Sequence, residues 1–296
     1  MENIKGWIKH SEAVASDKYP QYTQEYLDQI PTMDDPRIKS ILPHPILFPI
    51  ILPSSYSLLS RVAPARENQQ QLELCFAFAG CGIAEYFIKN TPPLGVVEEL
   101  SELFLGYWSR YILNGNHPPT GDNGSTILAT MQALQQFGIC VESLWPYIAA
   151  NEDTTPPASA DAAAKNLDVG KYFAISQTQN QAKLTAIKRS LYAGIPLMFG
   201  CEVHRSINNV GSNGIEPYAP PNSTTDPVES GHARYIIGWD DTVAIPNAPI
   251  KGAFLVMNSW GPSWGADGTS WISYQTWLDQ ETDDMGITTI TAVVTD

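Results

Sequence analysis

The stretch QLELCFAFAGCGIAEYF, residues 71–87, places two of the chain's four cysteines inside one apolar run. From Cys75 to Ile88 the apolar residues cover most of a helical wheel, which predicts a central, buried helix. A cysteine inside such a helix is usually inert packing. Cys75 differs because it opens the helix, where unpaired N–H groups and the positive dipole end favour a thiolate. We therefore interpret Cys75 as a candidate nucleophile and Cys81 as a core residue.

Helical patterns precede strand patterns along the chain. Apolar periodicity predicts further helices at Gln21–Ile30, Val96–Leu113, Ser125–Phe137 (ended by Gly138) and 182–194. After Gly194, β-branched and aromatic runs between Gly, Pro, Asn and Asp predict strands at 195–203, 233–240, 253–260, 269–274 and 286–294. Helices followed by strands predict an α+β protein with two lobes and a cleft between them.

The sequence predicts an N-terminal arm followed by one main domain. Residues 1–51 are polar and interrupted by proline, and we interpret them as an N-terminal arm. The run HPILFPIILPSSYSLL, residues 44–59, is expected to lie extended against the body. We expect the main domain at 52–296, with a helical lobe over about 70–190 and a β lobe over about 195–296.

Composition excludes several classes of partner. The formal net charge is −14, and no cluster of Lys and Arg appears, which disfavours nucleic acid and anionic membranes. No segment has the apolar length of a membrane span, and the first residues lack the pattern of a secretory signal. A cytoplasmic location is the default expectation, with export by another route, such as delivery as an effector, left open. We expect reduced thiols, although Cys140 and Cys201 could pair.

Two further patches carry side chains suited to chemistry. In SGHARYIIGWDD, His232 immediately precedes an apolar strand, so its ring can point into a cleft. In MNSWGPSWG, Asn258 stands at a strand end with an indole close behind it. A neutral amide that accepts a hydrogen bond from His232 would hold the tautomer and orientation of the ring. Gln69, six residues before Cys75, carries an amide N–H suited to an oxyanion.

The order Gln69, Cys75, His232, Asn258 resembles the papain-like cysteine peptidases, the C1 family. The likeness is greatest to bacterial-type members, which lack the disulfide framework of lysosomal enzymes, and it covers about 52–274. It implies a helical lobe with a long central helix, an antiparallel barrel-like β lobe and an active-site cleft between them. The segments that carry it are LPSS, NQQQLELCFAFA, FGICVESLWPY, GHARYIIGWDD and AFLVMNSWGPSWGADG.

The resemblance implies a role for each matching position. Cys75 would be the nucleophile, His232 its imidazole partner and Asn258 the orienting amide. Gln69 and the backbone N–H of Cys75 would hold the oxyanion. The positions that would surround the site or the substrate are Trp260 (a shield over the His–Asn bond), Ala233 (the wall of the pocket for the second substrate side chain) and Gly124 (backbone pairing with the substrate).

The chain departs from the family pattern beside the nucleophile. Glu73 and Leu74 stand where the family usually has Gly and then Ser or Ala, and Phe76 replaces the usual Trp or Tyr. Glu73 brings a carboxylate to the cleft, where it could bind substrate, favour basic partners or crowd the oxyanion site.

The resemblance implies a cysteine-type endopeptidase that hydrolyses peptides or proteins through a thioester, with no metal or organic cofactor. The alternatives left open are a catalytically weak or inactive scaffold that acts as a binding protein, and an acyl transferase or selective peptidase acting on one partner protein. We also expect the arm before Leu52 to occlude the cleft as a pro-segment, because the family often carries one at this place.

Overall fold

The computed structural model describes residues 6–40, 42, 51–63, 67–91, 98–175, 178–280, 282–287 and 290–292. The helices are α1 His10–Ala15, α2 Gln24–Asp28, α3 Pro36–Lys39, α4 Cys75–Asn90, α5 Glu102–Leu113, α6 Ile127–Gln136, α7 Ala158–Ala164, α8 Gln181–Tyr192 and α9 Tyr274–Asp279. The strands are β1 Ser55–Ser57, β2 Leu167–Val169, β3 Tyr172–Ala174, β4 Leu197–His204, β5 Val228–Asp240, β6 Ala253–Met257, β7 Thr269–Ser273, β8 Asp283–Ile287 and β9 Ile290–Ala292.

The long strand β5 organises the main sheet. The strand order is β3-β8-β4-β5-β6-β7, β1 pairs with the far part of β5, and every pairing is antiparallel. Strands β2 and β9 form a separate two-stranded sheet. The combination of α-helices with an antiparallel sheet confirms the predicted α+β class and its two lobes.

Helix α4 lies at the centre of the molecule, as its apolar circumference predicts. It packs against β5 and also against α5 and α6. Its buried residues include Cys75 at the first position and Cys81 further along, both almost fully excluded from solvent. The helix therefore carries its first residue to the boundary between the helical lobe and the sheet.

Most predicted elements are found, and the helices are shorter than predicted because capping residues determine where they begin and end. Helix α5 begins at Glu102, later than the predicted Val96, because the Ser101 hydroxyl accepts the Phe104 N–H and caps the helix there. Residues 96 and 97 of that prediction lie outside the described residues. Gly138 follows α6 with φ +74°, a conformation that favours glycine and ends the helix as predicted.

Two predicted elements differ in extent from those described in the structure. The run 286–294 predicts one strand, but β8 and β9 are separate and pair with different partners, β3 and β4 for β8 and β2 for β9. The extended segment predicted at 44–59 is described only from residue 51 onward, where β1 adds to the sheet.

The N-terminal arm is joined to both lobes by specific contacts. His10 receives the Leu128 N–H on Nε2 at 3.3 Å and pairs through Nδ1 with Asp283 at 3.2 Å. The Tyr22 hydroxyl lies 2.9 Å from the Thr126 hydroxyl, at the cap of α6. The arm is therefore part of the packed structure along much of its described length.

Among the described residues, none of the helices has the length and apolar character that a membrane crossing requires. All four cysteines are free and buried, so the pairing of Cys140 with Cys201 that the sequence left open is not made.

Candidate active site

Cys75 is the first residue of α4, as the sequence predicts. Leu74 occupies the cap position and provides no side-chain cap, so no capping side chain takes the N–H groups at the start of the helix. The Cys75 Sγ accepts the Ala233 N–H at 3.2 Å, and the Phe76 N–H also favours its anion. Ala233 directly follows His232, so the thiol lies against the backbone that carries the candidate imidazole.

His232 lies inside β5, four residues after the start of that strand, and does not precede the strand as the sequence predicts. Its ring meets Asn258, which directly follows the neighbouring strand β6. The distance from His232 Nε2 to Asn258 Oδ1 is 2.7 Å. The Ser259 N–H donates to the same oxygen at 2.8 Å, which identifies that atom as the amide oxygen. An amide oxygen only accepts, so Nε2 carries the proton and Nδ1 of the neutral ring is left as the base.

Trp260 covers the pair formed by His232 and Asn258. Its ring stacks on the imidazole, with centroids 4.9 Å apart and an interplanar angle of 28°. Trp264 packs edge-on against Trp260 at 5.2 Å. His232 and Asn258 are both buried, so the indole excludes water from the bond between them.

Gln69 is held in one orientation by contacts at both ends of its amide. The Ser259 hydroxyl donates to Gln69 Oε1 at 2.6 Å, and Gln69 Nε2 donates to the Leu72 carbonyl at 2.9 Å. The Tyr147 hydroxyl donates to the Gln69 carbonyl oxygen at 2.7 Å. An amide nitrogen carries two N–H groups, so one remains for a substrate oxygen.

Ser259 is a site residue to which sequence analysis gave no role. It contacts Asn258 through its N–H and Gln69 through its hydroxyl, and its carbonyl accepts the Gln69 N–H at 2.8 Å. The sequence signal that could have identified Ser259 was its position between Asn258 and Trp260 in the motif MNSWGPSWG.

A buried ion pair beneath the site was also missed. Arg234 is 1% exposed and pairs with Glu216 at 2.5 Å, and its guanidinium also donates to the Cys201 sulfur at 3.6 Å. The sequence signal was Arg234 itself, because a charged residue inside an apolar strand becomes buried and then requires a partner of opposite charge. The positive charge next to the site acts on the ionisation of His232.

The N-terminal arm lies directly over the candidate nucleophile. A Cβ added to Gly6 would stand 2.7 Å from Cys75 Sγ. The Trp7 N–H donates to the Gly231 carbonyl at 3.4 Å on the β-lobe side. On the helical side, Ser125 donates to the Gly6 carbonyl at 3.1 Å and accepts the Ile8 N–H at 3.0 Å.

Two predicted substrate-binding positions lie next to this arm. Gly124, to which the resemblance assigned backbone pairing with substrate, directly precedes Ser125, and Ser125 pairs through its backbone with the arm. The Glu73 side chain accepts the Gly6 N–H, and its own N–H donates to Asp122 at 2.8 Å. Burial, and then the charge of Asp122, raise the pKa of the Glu73 carboxyl to about 7.

With the arm in place, both reactive groups are held neutral. Burial raises the pKa of the Cys75 thiol to about 12, against the lowering effect of the Ala233 N–H. Burial and then the charge of Arg234 lower the pKa of His232 to about 3. A covered, water-free site disfavours the charged form of each group. Within the described part of the chain, no group of His, Cys, Asp or Glu side chains is arranged to hold a metal ion.

A cysteine at a helix start, an imidazole and an orienting amide form the side-chain set of cysteine-type acyl transfer. Comparison with known proteins agrees with this class. Residues 58–290 match the papain family cysteine proteases, and the chain belongs to that family. The resemblance seen in the sequence is thereby confirmed.

Individual relatives are distant. An uncharacterized peptidase C1-like protein of Acanthamoeba polyphaga mimivirus is 30% identical over 173 residues, covering 57% of this chain and 51% of the relative. A cathepsin B-like protein of Giardia intestinalis is 26% identical over 168 residues, which cover 55% of this chain and 50% of the relative. The chain thus spans about half the length of these curated relatives.

Solved structures share the fold. Xylellain, a cysteine protease from Xylella fastidiosa, superposes with a TM-score of 0.68 at 24% identity, covering 83% of this chain and 90% of that one. Procathepsin B of Trypanosoma congolense superposes with a TM-score of 0.62 at 15% identity, covering 88% of this chain and 84% of that one. The two-lobe papain-like fold is therefore common to a bacterial enzyme, a proenzyme and this chain.

Proposed function

We propose that the chain is a cysteine-type endopeptidase whose N-terminal arm holds it latent. The observation that carries the proposal is the meeting of three distant segments. Ala233 N–H contacts Cys75 Sγ at 3.2 Å while the adjacent His232 bonds Asn258 at 2.7 Å. Family membership supports the same chemistry.

In the proposed reaction, His232 Nδ1 takes the thiol proton and the Cys75 sulfur attacks a peptide carbonyl carbon. The new C–S bond pushes negative charge onto the carbonyl oxygen, which Gln69 and the Cys75 backbone N–H stabilise. Collapse breaks the C–N bond, and the imidazolium of His232 gives its proton to the leaving amine. Water then attacks the thioester with His232 as base, releasing the acid and restoring the thiol.

The arm occupies the cleft in a pose that does not favour its own cleavage. The Gly6 carbonyl oxygen accepts the Ser125 N–H on the cleft wall, so this contact directs it toward the wall. The Gly6 N–H is bound by Glu73. Substrate can reach Cys75 only when this segment moves, and residues 1–51 are thus proposed to act as a pro-segment.

The test is labelling of the full chain by an epoxide of the E-64 type, followed by mass spectrometry of the modified residue. We expect slow labelling of Cys75 in the wild type, because Gly6 covers the sulfur. Trp7→Ala, which removes the buried anchor of the arm, is expected to label at least about tenfold faster and to hydrolyse a peptide substrate.

Matched variants separate the mechanism from general loosening. Cys75→Ala in the Trp7→Ala background should neither label nor hydrolyse, whereas Cys81→Ala in that background should do both. Circular dichroism checks that each variant is folded. A folded Trp7→Ala chain that leaves Cys75 unlabelled would overturn the proposal and favour a binding protein on the same scaffold.

A further inference from the structure

Arg234 lies two residues after the candidate base, on the same face of β5. Residues two apart on a strand are about 7 Å apart and point the same way. In the ladder with β4, Cys201 pairs with His232 and Phe199 pairs with Arg234, so these four side chains share one face. Arg234 is 1% exposed. A full positive charge is therefore buried beside the imidazole.

The guanidinium of Arg234 is held in place on three sides. Its Nη1 donates to Glu216 Oε1 at 2.5 Å, and its Nη2 donates to Cys201 Sγ at 3.6 Å. The group also lies over the Phe199 ring, 5.5 Å from the centroid. The Ser270 hydroxyl donates to the same Glu216 oxygen. The charge and its partner are thus fixed relative to β5.

Glu216 neutralises this charge only in part. A carboxylate often receives two parallel bonds from a guanidinium, but here one nitrogen of Arg234 bonds Glu216. The second partner is neutral, because burial raises the pKa of the Cys201 thiol to about 11. Nε of Arg234 has no acceptor among the described residues. Part of the positive field therefore remains at neighbouring groups.

Both reacting groups respond to this field in the same direction. Burial is the largest cause of the low pKa of His232, and the charge of Arg234 lowers that pKa further. Burial raises the pKa of the Cys75 thiol, whereas Arg234 lowers it. The signs agree because a positive charge disfavours an imidazolium and favours a thiolate.

The surroundings of Arg234 do not depend on the arm. A Cβ added to Gly231 would stand 2.9 Å from the Trp7 ring, so the arm contacts the face of β5 that Gly231 presents. Gly231 alternates with His232 along the strand, and Arg234 lies on the His232 face. Release of the arm therefore leaves the charge buried where it is.

Other charged or titratable groups pack around the site from the arm, from the loops before α4 and α6, and from β4 and β8. They are Lys9, His10, Glu73, Asp122, Cys201, Glu202, Asp283 and Asp284. Three of these acids contact a basic side chain, Glu202 with Lys9 at 2.7 Å, Asp283 with His10 at 3.2 Å and Asp284 with Lys183 at 2.8 Å. Glu73 acts on the Cys75 thiol with the sign opposite to that of Arg234. It belongs to another element, so the two effects can be separated by substitution.

We infer that Arg234 is a positioning residue whose buried charge shifts the reactive thiolate–imidazolium pair of Cys75 and His232 to lower pH, and that Glu216 limits this shift. The inference rests on the proposed function, since it concerns the same pair. The pair forms when the thiol loses its proton and is lost when the imidazolium does. A positive charge moves both events, and hence both limbs of the pH–rate profile, to lower pH.

The experiment removes both charges with Arg234→Met and Glu216→Gln together, in the full-length Trp7→Ala chain. The double change leaves no unpaired buried ion. kcat/KM for hydrolysis of a peptide is measured from about pH 4 to about pH 9.5. We expect both limbs to move up by about one pH unit, which is about a tenfold loss of kcat/KM at a pH on the acid limb.

Glu216→Gln alone gives a test of opposite sign. It keeps an acceptor for Arg234 and Ser270 but removes the negative charge, so the field of Arg234 grows. Both limbs should then move down, by about half a pH unit. General loosening of the β lobe does not move the limbs in opposite directions in the two variants.

The matched control is Arg205→Met with Glu229→Gln in the same background. This pair, 2.8 Å apart, lies on the surface of the same lobe, with side chains 65% and 38% exposed. The same charges are removed there, and the limbs should stay in place. Circular dichroism checks that each variant is folded, and if the double variant at Arg234 is not, the downward shift of Glu216→Gln decides alone.

The rate of Cys75 alkylation by iodoacetamide separates this inference from the proposed function, because it reports thiolate formation without hydrolysis. Limbs that coincide in the parent and both variants overturn the role of Arg234 and leave the peptidase standing. Alkylation profiles that shift as expected in a chain without hydrolysis support the charge effect and overturn the peptidase. A folded parent in which Cys75 reacts only as an ordinary thiol, with no thiolate at acidic pH, overturns both.

Discussion

Ser259 connects the two amides of the candidate site. Its hydroxyl orients Gln69, and its backbone N–H bonds the amide oxygen that receives His232. Neither contact is to a reacting atom, so Ser259 is a positioning residue. We expect it to keep the proposed oxyanion donor, Gln69, in register with the imidazole.

Removing the Ser259 hydroxyl should slow the chemical step and leave substrate affinity nearly unchanged. In the Trp7→Ala background, Ser259→Ala is expected to lower kcat about tenfold, because Gln69 loses one of its two amide anchors. Gln69→Ala should lower kcat about a hundredfold or more. Peptide hydrolysis measures both values.

Ser259→Thr provides the control, since it keeps a hydroxyl at the same position and should restore most of kcat. A kcat for Ser259→Ala equal to that of its parent would show that Gln69 needs no such support.

Glu73 makes docking of the arm sensitive to pH. Its carboxyl binds the Gly6 N–H and has a pKa raised to about 7, chiefly by burial, which the arm contributes to. If the exposed carboxyl returns toward its ordinary value near 4.5, docking takes up a proton between the two pKa values. Docking is then strongest at low pH and weakens as the pH rises toward 7.

We expect the hydrogen-exchange protection factors of the Trp7 and Ile8 amides to fall about tenfold between pH 5 and pH 7.5. Both amides donate within the docked segment, and protection factors correct for the intrinsic pH dependence of exchange. Glu73→Gln keeps an acceptor for Gly6 and should flatten the profile. Protection that rises with pH in the wild type would contradict this reading of Glu73.

At the scale of elements, α4 carries the candidate nucleophile Cys75 in its first turn and a buried carboxyl, that of Glu85, in its third turn. Glu85 is 4% exposed, and its carboxyl oxygen accepts the Leu100 N–H at 3.0 Å. Burial raises the pKa of this carboxyl to about 7, and the charges of Glu99 and Glu142 act in the same direction. The helix that presents Cys75 is therefore more stable when Glu85 holds its proton.

The fold should accordingly lose stability as the pH rises from about 4.5 through 7, because the native state binds a proton that the unfolded state releases. Thermal unfolding should show a Tm lower by a few degrees at pH 8 than at pH 5.5. Glu85→Gln, which keeps the acceptor for Leu100, should reduce that difference.

Glu25→Gln on the exposed surface of α2 is the control for the change in net charge and should leave the difference in Tm intact. An equal effect of both variants would assign the pH dependence to general charge repulsion and not to Glu85.

At the scale of the whole molecule, the described part of the arm packs against both lobes without covalent bridges. The four cysteines are free, and the arm is anchored by side chains such as His10, Tyr22 and Trp7. Stability thus comes from apolar burial and noncovalent contacts between distant segments.

Reducing agent should consequently leave the unfolding temperature unchanged. We expect the same Tm with and without dithiothreitol, measured by calorimetry on the full chain at one pH. A Tm that falls on reduction would reveal a disulfide, with Cys140 and Cys201 as the first pair to examine by mapping.

Local patterns predicted much of the site. Periodicity located α4 and placed Cys75 at its start, and short motifs singled out His232 and Asn258, although His232 lies inside β5 and not ahead of it. These features depend on neighbours within a few residues, so sequence spacing alone defines them. The shift of the start of α5 from Val96 to Glu102 reflects the Ser101 cap, which a count of apolar residues does not weigh.

By itself, the sequence determined the α+β class, the buried helix and the family to which the chain belongs. Only the tertiary structure decided that Gly6 lies over Cys75, that Trp7 fills a pocket lined by Gly200 and Gly231, and that burial keeps the thiol and imidazole neutral. The physical reason is the separation along the chain between the residues that determine each feature. Helix and strand patterns are set by neighbouring residues, whereas desolvation and docking depend on segments that folding brings together from opposite ends of the chain.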